Sequence, residues 1–414
     1  MRFALVALAM ALGTTGAQAF APDVSPRPYV RDASPVMTVQ ASAPNPRFDS
    51  WVRAFRSRAL GQGISARTFD AAFQGAQYLP DVIAKDRNQA EFVKPIWEYL
   101  DSAVSDKRVR NGKAALRKNR RILADIERRY GVEAEVVVAV WGMESAYGEF
   151  RGDTPVISAL ATLAFDGRRG RFFEQQLVAA LRILQAGDIS ADRMTGSWAG
   201  AMGHTQFIPT SYEAFAQDFR GDGRRDIWSD DPTDALASTA AYLARSGWQR
   251  GQPWGVEVRL PRGFDYSQAG TRQSVAAWTS AGVRGVDDNA VPNHGEARLL
   301  LPAGARGAAF LTFRNFQVIE RYNAADAYVI GVGHLSDRIT GGPAIQAKWP
   351  EGDRGLRFAE RQELQRRLTQ AGFNTKGADG IIGPNTIRAI KGFQQAEGLV
   401  PDGYASFDLL RRLR

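Results

Sequence analysis

The chain has no cysteine in its 414 residues. That excludes disulfides, a thiolate-held metal, a cysteine nucleophile and a lipidated cysteine behind a signal sequence. A chain without cross-links must hold itself together by the size of its core, and this length permits two or three folded units. Histidine is almost as scarce. His204, His294 and His334 stand far apart, with no metal-ligand spacing such as H-E-x-x-H. The Gly-x-Ser-x-Gly elbow of serine hydrolases is absent, and no glycine-rich nucleotide loop stands out. No run of about 20 apolar residues occurs after the N-terminus, so no stable membrane insertion of the mature chain is expected.

What is present begins with an export signal. Arg2 supplies the positive start, Phe3 to Leu12 is a short apolar run, and Ala17-Gln18-Ala19 is the small-x-small pattern of a cleavage site. Residues 1–19 are therefore expected to be a signal peptide cleaved after Ala19, leaving an exported, periplasmic, soluble protein; an uncleaved membrane anchor is the alternative. Residues 20–47 carry Pro22, Pro26, Pro28, Pro35, Pro44 and Pro46 without hydrophobic periodicity, which reads as a flexible tether. The net charge is +9. Such a chain is drawn to polyanions in general: nucleic acid, anionic lipid or an acidic cell wall. Export makes nucleic acid the poorest fit, and no nucleic-acid motif accompanies clusters such as Arg117-Lys118-Asn119-Arg120-Arg121.

From Phe48 the pattern turns helical. Periodicity and glycine stops predict helices near 48–61, 66–75, 90–103, 108–130, 136–147, 172–186, 236–246 and 321–339. Residues 251–315, richer in Gly and Pro, fit short strands or irregular structure. Residues 341–355, with Gly341, Gly342, Pro343, Pro350, Gly352 and Gly355, read as a linker between a domain at 48–340 and a small C-terminal domain at 356–414. In the latter, three helices (358–370, 385–395 and 406–412) would share a core of Leu364, Leu368, Ile387, Ile390, Phe393, Leu409 and Leu410. The predicted fold class is mainly α.

One residue draws attention on chemical grounds. Residues 136–140 are wholly apolar, so the helix that carries them is expected to be buried, and Glu144 lies near its end beside a loop opening at Gly148. Burial disfavours a charged carboxyl, and a carboxyl that keeps its proton near neutral pH can protonate a glycosidic oxygen. These residues alone equally fit a glutamate whose head reaches solvent.

The pattern Glu144-Ser145-x-x-Gly148 after an apolar helix resembles the signature of lytic transglycosylases and goose-type lysozymes. It is followed by Ser158-Ala159-Leu160-Ala161-Thr162-Leu163-Ala164-Phe165, by Arg168-Arg169, and by the run from Gly196-Ser197-Trp198-Ala199-Gly200 through Gln206 to Tyr212. Together, from Trp51 to Ile339, these are similar to the membrane-bound lytic transglycosylase B family. The resemblance implies a lysozyme-like, mainly helical catalytic domain acting on peptidoglycan glycan strands. It implies Glu144 as a single general acid/base that closes a 1,6-anhydro ring, whereas ordinary glycosidases use two carboxyls. Asp153 and Asp166 remain open as possible second carboxyls. By position in the motifs, Ser197, Gln206, Tyr242, Tyr322 and Tyr328 are expected to line the sugar groove. His204-Thr205 departs from the Tyr-Gly found in other members, which puts the groove floor in question; His204 reads as structural.

No cofactor is implied by the chemistry. Asp218-Phe219-Arg220-Gly221-Asp222-Gly223 has the spacing of a calcium loop, and some members of the family it resembles hold calcium here, with Asp234 as a late ligand. Against that, Arg220 takes the place of an oxygen ligand, and Arg220 and Arg224 can neutralise the aspartates by ion pairs instead. In the C-terminal unit, Asp379-Gly380-Ile381-Ile382-Gly383-Pro384-Asn385-Thr386 with Phe393-Gln394 and Asp402-Gly403 resembles the peptidoglycan-binding domain 1 family, implying a non-catalytic wall-binding module of three helices. Two rival functions stay open: a muramidase that admits water, and a wall-binding scaffold that does not cut.

Overall fold

A computed structural model describes residues 45–88, 94–350 and 352–414. The signal peptide and nearly all of the expected tether lie outside the described residues. Helix α1 (Pro46–Gly61) starts slightly before the expected boundary, capped by the Asn45 side chain, which accepts from Arg47 N and Phe48 N. The helices that follow are α2 (Ala66–Phe73), α3 (Pro80–Asn88), α4 (Ile96–Ala103), α5 (Asp106–Lys118), α6 (Arg120–Tyr130), α7 (Ala134–Ser145), α8 (Val156–Asp166), α9 (Gly170–Ala186), α10 (Pro209–Phe215) and α11 (Thr233–Arg245). The single helix expected over 108–130 is two, because Asn119 turns its backbone and its amide donates to Ala115 O.

Helix α7 is apolar on every side, and Val137 to Val140 are fully buried. A helix of that kind belongs at the centre of a core. Helices α5, α6 and α11 and the long helix α14 (Asp326–Thr340) surround it. Helix α14 approaches so closely that a Cβ on Gly331 would lie 2.9 Å from Met143 Cε. The helix expected over 321–339 is also broken: α13 (Arg314–Tyr322) ends before Asn323, whose extended backbone starts a short link to α14.

Residues 255–312 form an antiparallel five-stranded sheet, a β element that the overall helical pattern only hinted at. A first pair, β1 (Thr154–Pro155) and β2 (Thr195–Gly196), borders the pocket described below. The larger sheet contains β3 (Gly255–Arg259), β4 (Arg272–Ser274), β5 (Arg284–Gly285), β6 (Glu296–Leu300) and β7 (Ala309–Thr312), in the order β4-β6-β7-β3-β5. Helix α12 (Val275–Ser280) covers its outer face with Trp278. Alternation along β7 explains the position of the sheet: Ala309 and Leu311 point to this outer core, and Phe310 points to the helical core.

The C-terminal unit is three helices, α15 (Phe358–Gln370), α16 (Pro384–Ala396) and α17 (Phe407–Leu413), around Leu364, Leu368, Ile390, Phe393, Leu409 and Leu410. Ile387, expected in that core, instead borders a cleft between this unit and the sheet. The unit is docked: Lys391 Nζ donates to Ala269 O at 2.8 Å, and Asp402 Oδ2 accepts from Ala305 N at 2.8 Å. The connecting residues are packed as well, with Ile345, Ala347 and Trp349 against the helical core and Glu257 accepting from Gln346 N and Ala347 N.

Candidate active site

Helix α7 ends where Ala146 and Tyr147 adopt left-handed backbone conformations (φ 50° and 64°). The conformation costs energy for residues with a Cβ, and buried bonds hold it. Tyr147 Oη donates to Arg108 O at 2.8 Å. Ser145 Oγ donates to His204 O at 2.5 Å and accepts from Gly148 N at 2.9 Å. The abrupt stop leaves Glu144 in the last turn, half-buried, at a pocket of about 150 Å³.

The walls of this pocket come from several separate stretches of the chain. Met143 to Ala146 form one side. Tyr99 and Arg108, from α4 and α5, form another. Phe150, Gly152 and Thr154 meet Gly196, Ser197, Trp198 and Ala201 across the β1–β2 pair. Asn323 and Tyr328 close the pocket from α14 and the link before it, and Gln206 lies at its base. Beside the strand pair the backbones approach too closely for side chains at two positions: a Cβ on Gly152 would lie 2.2 Å from Gly196 O, and one on Gly196 would lie 2.2 Å from Ala201 O. Glycine is required at both positions by close backbone approach.

Tyr328 Oη donates to Glu144 Oε1 at 2.7 Å. Glu144 is the one acidic side chain among the described residues that line the pocket. Asp166 is engaged elsewhere by Arg87 at 2.7 Å, and Asp153 is exposed and does not line the pocket. Arg108 lines it as a half-buried guanidinium; burial lowers its pKa, and Nη1 donates to Ala103 O at 3.1 Å.

Of the residues expected in the groove, Ser197, Gln206 and Tyr328 line the pocket with Glu144. Ser197 Oγ accepts from Ala201 N at 3.1 Å, closing a tight loop. Gln206 is held at φ 52° with its amide donating to Arg151 O and Gly203 O. Tyr242 and Tyr322 depart from expectation: both are buried beneath the base and absent from the lining. Tyr322 Oη donates to Thr205 O at 2.6 Å and Tyr242 Oη to Arg321 O at 2.5 Å, and their rings meet at 4.9 Å. Packed with Phe207 and Phe215, they set the height of the backbone that carries Gln206. Tyr99, Arg108 and Asn323 are lining residues that motif reading did not single out; no spacing links α4 and α5 to Glu144 before the chain is folded.

His204 lies behind the pocket. Trp141 Nε1 donates to its Nδ1 at 3.1 Å, which fixes the neutral tautomer with Nε2–H donating to Ser229 O at 2.7 Å. Burial holds its pKa below the ordinary histidine value. The base that departs from Tyr-Gly is thus anchored from below by an imidazole.

The acidic side chains of the calcium-like loop are engaged within the protein. Asp218 accepts from Gly221 N, Asp222 N and Gly223 N. Asp234 accepts from Phe219 N, Arg220 N and Asp226 N. The Arg220 guanidinium lies among the others, 3.1 Å from Asp222, 3.1 Å from Asp231 and 3.8 Å from Asp226. No group of three or more acidic or histidine side chains able to hold a metal ion occurs among the described residues.

The chain is similar to known proteins over most of its length. Residues 47–337 match the transglycosylase SLT domain model, and residues 359–413 match a putative peptidoglycan binding domain. The crystal structure of SltB3 from Pseudomonas aeruginosa, solved in complex with NAG-anhNAM-pentapeptide and with NAG-NAM-pentapeptide, superposes with a TM-score of 0.87 at 52% identity, over 89% of this chain and 99% of that one. The membrane-bound lytic murein transglycosylase B of Escherichia coli is 36% identical over 219 residues, or 51% of this chain; the match spans 58% of that protein's length. The Escherichia coli lytic transglycosylase Slt35, in a structure with calcium, gives a TM-score of 0.59 at 29% identity, over 72% of this chain and 94% of that one.

Proposed function

The chain belongs to the transglycosylase SLT domain family, and from that premise we propose that it cleaves the β-1,4 bond between N-acetylmuramic acid and N-acetylglucosamine in peptidoglycan, with Glu144 as the single acid and base. The Glu144 carboxyl gives its proton to the bridging oxygen, the C1–O bond breaks, and the electron pair leaves on the N-acetylglucosamine O4. The resulting carboxylate then takes the proton of the muramoyl C6 hydroxyl, whose oxygen bonds to C1 and closes the 1,6-anhydro ring. The proton balance returns Glu144 to its starting form, and no water is consumed.

The observation that carries this reading is that Glu144 is the one acid among the described residues lining the pocket. A retaining glycosidase would need a second carboxyl about 5–5.5 Å away, and an inverting one a carboxyl farther off with a water between. Tyr328, 2.7 Å from Oε1, orients the carboxyl and stabilises the charge left after the first proton transfer. Ser197 and Gln206 are proposed to meet the glycan's polar groups, with Tyr242 and Tyr322 holding the base in register. The C-terminal unit is proposed to bind the wall and raise the local concentration of strands. No step calls on a cofactor. Cleavage behind Ala19 would deliver the enzyme to the periplasm; no helix among the described residues is long and apolar enough to cross a membrane.

Mass spectrometry of sacculi digested by the purified protein, beside Glu144→Gln, tests the proposal. Anhydro-ended muropeptides from the wild type and none from a folded, wall-binding variant are expected. Reducing muramic acid ends as the main product would favour a muramidase, and equal activity of the variant would remove Glu144 from the reaction.

A further inference from the structure

We propose that Arg220 is the resident cation of the loop at residues 218–234, holding it closed where a divalent ion would otherwise be needed. Three observations lead there. The guanidinium reaches Asp222, Asp226 and Asp231 from one position. The two loop aspartates outside its reach, Asp218 and Asp234, already accept three backbone N–H bonds each, so their oxygens are committed. Arg220 itself stands at the third loop position, where an oxygen ligand belongs in a calcium loop. Burial works to raise the pKa of Asp226 and Asp231, yet the bonds donated to them, with Arg220 beside them, hold both below the ordinary aspartate range. They are therefore anions, with Arg220 as their counter-charge.

The loop is joined to the pocket by a continuous set of bonds. Asp226 Oδ1 accepts from Trp228 N and Ser229 N. Ser229 O accepts from His204 Nε2 and from Arg151 Nη1 at 2.8 Å. Arg151 O in turn accepts from Gln206 at the pocket base, and His204 O accepts from Ser145, the neighbour of Glu144. Arg220 is thus a positioning residue for the base, at a distance from the reacting atoms.

The test is thermal melting of the full mature chain with calcium chloride, with magnesium chloride and with EDTA. The wild type is expected to melt at one temperature in all three. Arg220→Asp, which restores an oxygen ligand and removes the cation, is expected to melt lower in EDTA and to regain several degrees in millimolar calcium, by binding linkage. Its glycan cleavage, reduced without calcium, should recover when calcium is added. Arg220→Lys should melt between the two, since one ammonium cannot span three carboxylates. A saturable rise in wild-type melting temperature with calcium would overturn the proposal, as would an Arg220→Asp or Arg220→Gln chain as stable in EDTA as the wild type. Should Arg220→Asp fail to fold even with calcium, the wild-type and Arg220→Gln arms still decide. Melting is read independently of catalysis, so failure here leaves the assignment of Glu144 untouched.

Discussion

Glu144 and the aspartates of residues 218–234 lie in the same unit, but their surroundings are arranged to opposite ends. Asp218 and Asp234 take three backbone N–H bonds apiece, and Arg220 neutralises their neighbours. Glu144 sits at the end of an apolar helix, faces a pocket, and takes a bond from the Tyr328 hydroxyl. A carboxylate whose acceptor sites are filled by rigid donors fixes the backbone around it and cannot exchange protons usefully. A carboxyl bordered by apolar surface and a cleft can change protonation state during a reaction. The difference separates structural from catalytic acids in this chain more sharply than burial does.

The largest effect should come from Glu144→Gln. General acid–base catalysis contributes about 10²–10⁴-fold, and glycan cleavage should fall by that factor with the melting temperature nearly unchanged. An equally inactive Asp226→Asn with intact stability would break the contrast. Tyr328→Phe comes next: a hydrogen bond to a charged group is worth about 1.5–3 kcal/mol, so the turnover rate should drop at least about 10-fold while wall binding persists. Unchanged turnover would mean that the hydroxyl only decorates the site.

The contrast extends to acid stability, where two regions should fail in different pH windows. Burial lowers the pKa of His334 in α14 to about 4. Its unfolded form takes up a proton first, so stability present above about pH 6.5 is lost as the pH falls toward 4. That amounts to about 3 kcal/mol at most. In the C-terminal unit the sign of the shift is the same and the window lies lower. Arg354 holds Glu360 at about 2, and Arg414 and Arg367 hold Glu363 at about 2. Their contribution is present above the unfolded glutamate value near 4.3 and lost as the pH falls toward 2. Calorimetry from pH 7 to 3 on the wild type beside His334→Gln should show that the substitution flattens the limb between pH 6.5 and 4. A limb unaffected by that substitution would remove His334 as its cause. The smallest effect is expected from Ser145→Ala, next in sequence to Glu144 but saturated by His204 O and Gly148 N. It should cost about 1–3 kcal/mol of stability, read as a lower melting temperature, and disturb catalysis only through the helix end.

Much of this was legible in the sequence, for identifiable reasons. The apolar run at 136–140 announced a buried helix, and the motif around Glu144 pointed to the residue at its exit. Gly383-Pro384 and the spaced leucines outlined the C-terminal helices. Position within a motif did not reveal which way a side chain faces. Ser197, Gln206 and Tyr328 face the pocket, whereas Tyr242 and Tyr322 belong to equally suggestive motifs and lie under it, their hydroxyls taken by Arg321 O and Thr205 O. Tyr99 and Arg108 reach the pocket through helix packing alone, which no local pattern encodes. The five-stranded sheet was faint because its strands are two to five residues long, too short for alternation to stand out. Arg220 was visible as a misfit in a calcium loop, but its three carboxylate partners emerged only from the fold.

The central claim, that one carboxyl both opens the glycosidic bond and closes the anhydro ring, is tested most directly by digesting sacculi in heavy-oxygen water and weighing the fragments. The account predicts muramic acid ends lighter by one water and free of the label. New ends that carry the heavy oxygen would show that water attacks C1, and would contradict it.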